Sequence, residues 1–239
     1  MLLSTIPATR FTEKGSEPVL DEVVHEERFR IYLNGECISH QVASPDLPAE
    51  LGAGFVITER LAETVENVSV RGDQIFVEAE KTGDAEWITE SACGLTNVTK
   101  PRYVSSSLHI ASDAVFSVYE ATVSEQWQKT GGFHNAVLFC DGKILITCPD
   151  IGRHNTVDKA VGYAELRGID RSACYLGCTG RQPEGMVKKV ANAGIPVVIS
   201  RAATTDRGIL VAKETNITLI GFARQGRFTI YSHPERIGE

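Results

Sequence analysis

With 239 residues, 42% of them hydrophobic, the chain is long enough to bury a substantial core as one large domain or two small ones. Its 24 basic and 31 acidic side chains leave a net charge of −7, which argues against nucleic-acid binding through a basic surface. No apolar run reaches the length of a membrane span or a signal-peptide core, so the sequence predicts a cytoplasmic protein without a membrane partner, its six cysteines free thiols.

In chain order, the first element is a hairpin over Arg28 to Ile38, where Asn34-Gly35 interrupts alternating apolar residues. Ser44-Pro45-Asp46 then reads as the cap, first-turn proline and acidic first-turn residue of a helix carrying Leu47, Leu51 and Phe55, with Gly52 and Gly54 permitting close packing. A second hairpin pairs Asn67 to Val70 with Gln74 to Ala79 around Arg71-Gly72-Asp73. Lys81 to Ser107 is a polar connector, and a loop of that length inside a compact protein is usually functional or disordered.

Beyond the connector the pattern alternates. A helix is expected over Asp113 to Gln128, a strand pair over Ala136 to Cys148, and helices over Thr156 to Leu166, Pro183 to Ala193 and Asp206 to Glu214. Short apolar strands at Cys174 to Cys178, Pro196 to Ser200 and Ile217 to Phe222 alternate with those helices, and Phe228 to Tyr231 follows. This predicts an α/β protein: a three-layer, mostly parallel sheet over residues 109–239, preceded by a smaller β-rich region over residues 1–108.

Ligands of such sheets bind at the carboxyl ends of the strands. This chain places Arg153, Arg181 and Arg201 in the turns at those ends. Arginine forks suit phosphate oxygens, which points to an anionic ligand; pairing with local carboxylates is the alternative. Arg224-Gln225-Gly226-Arg227 is a further basic turn, either closing over phosphates or forming a solvated hairpin tip. His134, on the glycine turn Thr130 to Ala136, is a proton donor, a ligand anchor or a structural hydrogen-bonder.

Five of the cysteines lie in apolar strand patterns and read as core residues. Cys93 sits instead in the connector, within Ser91 to Asn97 and before a glycine, where an accessible thiol suits nucleophilic attack and persulfide hand-over. Neither Cys-x-x-Cys nor His-x-x-x-His occurs, so no structural metal is expected.

These motifs, taken in order, resemble the formate dehydrogenase accessory sulfurtransferase family, FdhD. The resemblance runs from Leu20-Asp21-Glu22-Val23 through Ala43-Ser44-Pro45, Gly54-Phe55, Thr58-Glu59 and Thr130-Gly131-Gly132 with His134. It continues through Asp150 to Asn155 with Asp158-Lys159, Gly180-Arg181, Ala193 to Pro196, Ser200-Arg201-Ala202 and Leu219 to Phe222 with Gly226-Arg227. It implies a homodimeric sulfur carrier with a cytidine-deaminase-like fold. Such a carrier takes persulfide sulfur from a cysteine desulfurase and delivers it to molybdenum bis(molybdopterin guanine dinucleotide), which then enters formate dehydrogenase. Residue by residue, Cys93 takes the persulfide role, and Phe222, Ala223, Arg224, Gln225, Gly226 and Arg227 match the cofactor-binding turn, for which GDP is an analogue.

Where many members have Cys-x-x-Cys, this chain has Cys93-Gly94-Leu95-Thr96, which argues against a relay between two loop cysteines. A non-catalytic chaperone that holds the same cofactor without moving sulfur is the rival reading. A nucleobase deaminase is disfavoured, because His134-Asn135-Ala136 stands where a zinc deaminase has His-x-Glu and no Pro-Cys-x-x-Cys follows.

Overall fold

The computed structural model describes residues 2–82, 87–90, 94–97 and 100–238. The chain opens with a hairpin that the sequence reading leaves unassigned: β1 (Leu3–Thr12) pairs antiparallel with β2 (Gly15–Val24). Most of its side chains face solvent, which erases the one-sided alternation that identifies a strand. Its base packs against the body, since a Cβ on Gly132 would stand 2.4 Å from Val24 Cγ2.

Then follow β3 (Glu27–Leu33) and β4 (Glu36–Ala43), joined at Asn34-Gly35 as expected, with both turn residues at positive φ. Helix α1 (Pro48–Thr58) precedes β5 (Asn67–Arg71) and β6 (Gln74–Glu78), and the four strands form a sheet of order β4-β3-β6-β5. Leu51 and Phe55 of α1 pack on Phe29, Ile31, Leu33, Ile75 and Val77 of that sheet. The helix starts at Pro48 behind a left-handed Leu47, and Ser44 does not cap it. Ser44 and Asp46 are instead drawn to Lys159, which binds the Ser44 carbonyl and the Asp46 carboxylate.

Within the expected connector, β7 (Trp87–Glu90) and β8 (Gly94–Asn97) pair antiparallel. A short β9 (Ile110–Ala111) leads into α2 (Ser112–Ala121) and α3 (Glu125–Thr130), separate helices where the sequence suggests one. Ser124 makes the break, its hydroxyl accepting from the Trp127 N–H as the N-cap of α3. The remaining elements are β10 (His134–Cys140), β11 (Lys143–Asp150), α4 (Arg153–Leu166), β12 (Cys174–Cys178), α5 (Glu184–Asn192), β13 (Val197–Ser200), α6 (Asp206–Glu214), β14 (Thr218–Arg224), β15 (Arg227–Ser232) and β16 (Ile237–Gly238).

Six strands form the central sheet in the order β11-β10-β12-β13-β14-β15. It is mixed, which corrects the expectation of a mostly parallel sheet: only β12–β13 and β13–β14 run parallel. The tight turns at Asp141-Gly142 and Gln225-Gly226 allow only antiparallel neighbours, whereas the parallel pairs are crossed by α5 and α6. One face buries Leu138, Leu176, Val198 and Leu219 under Val157, Met186 and Val211 of α4, α5 and α6. The other buries Val137, Phe139, Tyr175 and Ile199 under Val115 and Val118 of α2, completing three layers. No described helix is long and apolar enough to cross a membrane.

Two devices lock α1 to the central sheet. Helices α1 and α4 cross with backbones in contact, so that a Cβ on Gly54 would lie 1.7 Å from the Asp158 carbonyl oxygen. Lys189 of α5, buried, reaches Asp158 at 2.9 Å and Glu59 at 2.7 Å. Burial alone would neutralise this lysine, but the carboxylates of Asp158 and Glu59 outweigh it and hold the ammonium protonated beyond its usual range.

Candidate functional site: an arginine-lined pocket at one end of the sheet

A cavity of about 530 Å³ opens where β10 begins and where β12, β13 and β14 end. Its walls include Tyr119 of α2, Trp127 of α3, the Gly131-Gly132-Phe133 turn, His134, Thr179, Arg201 and Arg224. The break at Ser124 matters here, because it lets Tyr119 and Trp127 approach the same cation from different helices. The Arg201 guanidinium lies 4.6 Å from the Tyr119 ring centroid and 5.6 Å from that of Trp127. Such stacking holds the charge in place without a neutralising carboxylate. Among the described residues no carboxylate lines the pocket, and its two arginines give it positive charge between aromatic walls. That combination accepts phosphate oxygens and stacks a planar ring.

His134 stands in register with Asp150 across the β10–β11 pair, and its ring Nδ1 lies 3.4 Å from the Thr179 hydroxyl. Burial, reinforced by Arg153 and Arg181, holds its pKa below the usual histidine range against the opposing pull of Asp150. The ring is therefore neutral at neutral pH and able to accept as well as donate. Next to it, His154 is pushed down to about 3, by burial first and then by Lys189, Arg153 and His134.

Of the expected basic residues, the structure brings Arg201 and Arg224 together on the cavity wall. Arg153 and Arg181 are not among its lining residues but are close enough to His134 to depress its pKa. The Phe222 to Arg227 turn does not enter as a unit. Ala223 is buried in the core below α2, while Arg224, Gln225, Gly226 and Arg227 are exposed at a hairpin tip. Phe222 adopts φ 52, unusual for an aromatic residue, and donates its N–H to the Ala202 carbonyl at 3.1 Å. The β14–β15 register shifts between Gly221 and Arg224, a bulge of the kind that re-aims the end of a strand.

Cys93 lies outside the described residues. Of the other cysteines, Cys148, Cys174 and Cys178 are buried, and burial pushes the Cys178 thiol up to about 12. Cys37 departs from the expected core placement: it is exposed on β4, at an edge of the small sheet. Tyr119, Trp127 and Thr179 are pocket residues that sequence reasoning missed. The signal available for the first two was Ser124-Glu125, a capping pair inside the expected helix. Among the described residues, no group of three or more His, Cys, Asp or Glu side chains is placed to hold a metal ion.

Fold and site together define a three-layer α/β protein with an arginine-lined, aromatic-walled pocket at the end of its mixed sheet. The chain belongs to the FdhD/NarQ family, whose model matches residues 24–238. It is 33% identical over 232 residues to Protein FdhD of Methanocaldococcus jannaschii, covering 97% of each chain. It is also 33% identical over 230 residues to Sulfur carrier protein FdhD of Methanothermobacter thermautotrophicus, covering 92% of each, and 32% identical over 250 residues to that of Bacillus subtilis, covering 96% of this chain and 95% of the relative. Among solved structures, a formate dehydrogenase accessory protein from Desulfotalea psychrophila superposes with TM-score 0.83 over 100% of both chains at 24% identity, a likeness of fold.

Proposed function

We propose that this protein is a sulfur carrier for formate dehydrogenase maturation. It receives sulfur from a cysteine desulfurase as a persulfide on Cys93 and delivers it to molybdenum bis(molybdopterin guanine dinucleotide). In the loading step the Cys93 thiolate attacks the terminal sulfur of the donor persulfide; a new S–S bond forms, the old one breaks, and the donor leaves as a thiol. The cofactor is the client of this reaction, and its guanine dinucleotide ends are held in the arginine-lined pocket. Arg201 and Arg224 take phosphate oxygens, Tyr119 and Trp127 fix Arg201, and neutral His134 supplies a hydrogen bond. The reading extends to a homodimer and to a cytidine-deaminase-like layout of the sheet and its two helical layers.

The observation that carries the proposal is the pocket itself: about 530 Å³, with two arginines, aromatic walls and no carboxylate among its described lining residues. A diphosphate attached to a planar base requires that chemistry. Support for the sulfur step comes from relatives named as sulfur carriers that match the chain along nearly its whole length.

The test has two arms. Incubation with a cysteine desulfurase and cysteine should add one sulfur atom to the intact mass, and Cys93→Ser should abolish that gain while leaving GDP binding unchanged. Binding of GDP without any sulfur gain in the unaltered chain would leave a cofactor chaperone in place of a carrier.

A further inference from the structure

The far end of the same sheet carries a pair of thiols that the pocket does not use. Cys140 ends β10 and Cys174 opens β12, and the two are directly opposite in antiparallel register. Their side chains therefore leave the sheet on the same face, and both join the core beneath α4 and α5. Directly opposite residues have Cα atoms roughly 4.5–5.5 Å apart, inside the range of about 4.4–6.8 Å that a disulfide spans.

The thiols are also held in place. Cys140 donates to the Ala173 carbonyl at 3.6 Å and Cys174 to the Asp170 carbonyl at 3.4 Å, two acceptors on one short turn. The two thiols are close enough for Cys140 to raise the pKa of Cys174. Burial, with the neighbouring Cys140, pushes Cys174 up to about 12, so it stays protonated and is not the first to react. Cys140 is only partly buried and adjoins the exposed Asp141-Gly142 turn, which gives a small oxidant access. The remaining cysteines of this face do not compete. Cys148 and Cys178 oppose Ala136 from its two sides, two strand spacings or roughly 10 Å apart, beyond disulfide reach.

We propose that Cys140 and Cys174 form a reversible dithiol–disulfide site whose oxidant is a hydroperoxide. The Cys140 sulfur takes one oxygen as the peroxide O–O bond breaks, giving a sulfenic acid and one water when the oxidant is hydrogen peroxide. The Cys174 sulfur then attacks the Cys140 sulfur. The S–S bond forms, and the sulfenic oxygen leaves as a second water that includes the Cys174 proton. Two thiols are oxidised and one peroxide is reduced; a small thiol reductant restores both. Because His134 and Thr179 lie at the opposite ends of the joined strands, the bond forms away from the pocket.

The test uses the full chain carrying Cys37→Ser and Cys93→Ser, with circular dichroism to check its fold. It is treated with hydrogen peroxide, alkylated in denaturant and mapped by peptide mass spectrometry. We expect two of its four cysteines to escape alkylation, one linked peptide pair joining Cys140 to Cys174, and full alkylation after dithiothreitol. Adding Cys140→Ala should leave Cys174 alkylated. The same link should appear in peptide maps of the unaltered chain, so a folding defect in the variant does not decide the outcome. Alkylation of all four cysteines, conversion of Cys140 to sulfinic acid without a link, or a link to another cysteine would each overturn the proposal.

Discussion

Lys159 and Asp150 meet 2.6 Å apart with both side chains fully removed from solvent. The pair is the hub of a larger knot. Asp150 accepts from the Ser44 N–H at 3.0 Å, the Gly152 N–H at 2.8 Å and the Asn155 side chain at 2.9 Å, while Lys159 also donates to the Ser44 carbonyl at 3.0 Å. The end of β11, the start of α4 and the segment entering α1 are thus fixed to one another beside the pocket.

A buried ion pair adds little net stability, but removing one partner strands the other charge in the interior. Lys159→Met should therefore lower unfolding free energy by about 3–5 kcal/mol. The double variant Lys159→Met with Asp150→Asn should recover part of the loss. Urea titrations of both chains measure this, and equal stability of the single and double variants would mean that Asp150 does not depend on Lys159.

In GDP titration calorimetry, Arg201→Ala and Arg224→Ala should each weaken binding roughly tenfold or more, because a charge-assisted contact contributes about 1.5–3 kcal/mol. Arg201→Lys should restore only part, since an ammonium lacks the planar fork that stacks between Tyr119 and Trp127. Arg227, at the outer side of the hairpin tip, should matter less than Arg224. The reverse ranking would shift the site from the cavity to the tip.

Gly54→Ala should destabilise the fold by at least about 1–3 kcal/mol, because the added methyl collides with backbone and not with a movable side chain. The obstacle is the Asp158 carbonyl, 1.7 Å from the new Cβ, so α1 and α4 must separate. A thermal midpoint equal to that of the unaltered chain would show that the crossing is more pliable than its contacts imply.

His154 makes stability fall in acid. Its pKa in the folded chain, about 3, lies below the ordinary histidine value of 6.5, so between those two values the unfolded chain binds more protons. Above pH 6.5 both states are neutral and the group contributes no pH dependence. Below it, stability is lost at up to about 1.4 kcal/mol per pH unit until the folded ring also titrates. The difference between the unaltered chain and His154→Asn isolates this slope from the buried carboxylates. A difference that stays flat from pH 7 to pH 4 would mean that the ring is hydrated or paired.

Much of the scaffold is legible in the sequence because it rests on local chemistry. Asn34-Gly35 makes a hairpin wherever alternating strands flank it, and the helices and strands from Thr156 to Glu214 follow from apolar spacing. The arginines at the strand ends mark a candidate anion site by residue type and position, and the ordered motifs pointed to the family. What the sequence could not show depends on groups distant along the chain. Ser44 and Asp46 look like a helix cap until Lys159, more than a hundred residues later, takes them as ligands. Tyr119 and Trp127 acquire a role only when α2 and α3 fold against the end of β13 and bring two rings to Arg201. Cys140 and Cys174 look like separate core residues until antiparallel pairing of β10 with β12 sets them opposite each other. Propensity and pattern act over a few residues, whereas burial, charge pairing and cross-strand register are set by the packed chain, and these decide which arginines face the pocket and which thiols can meet.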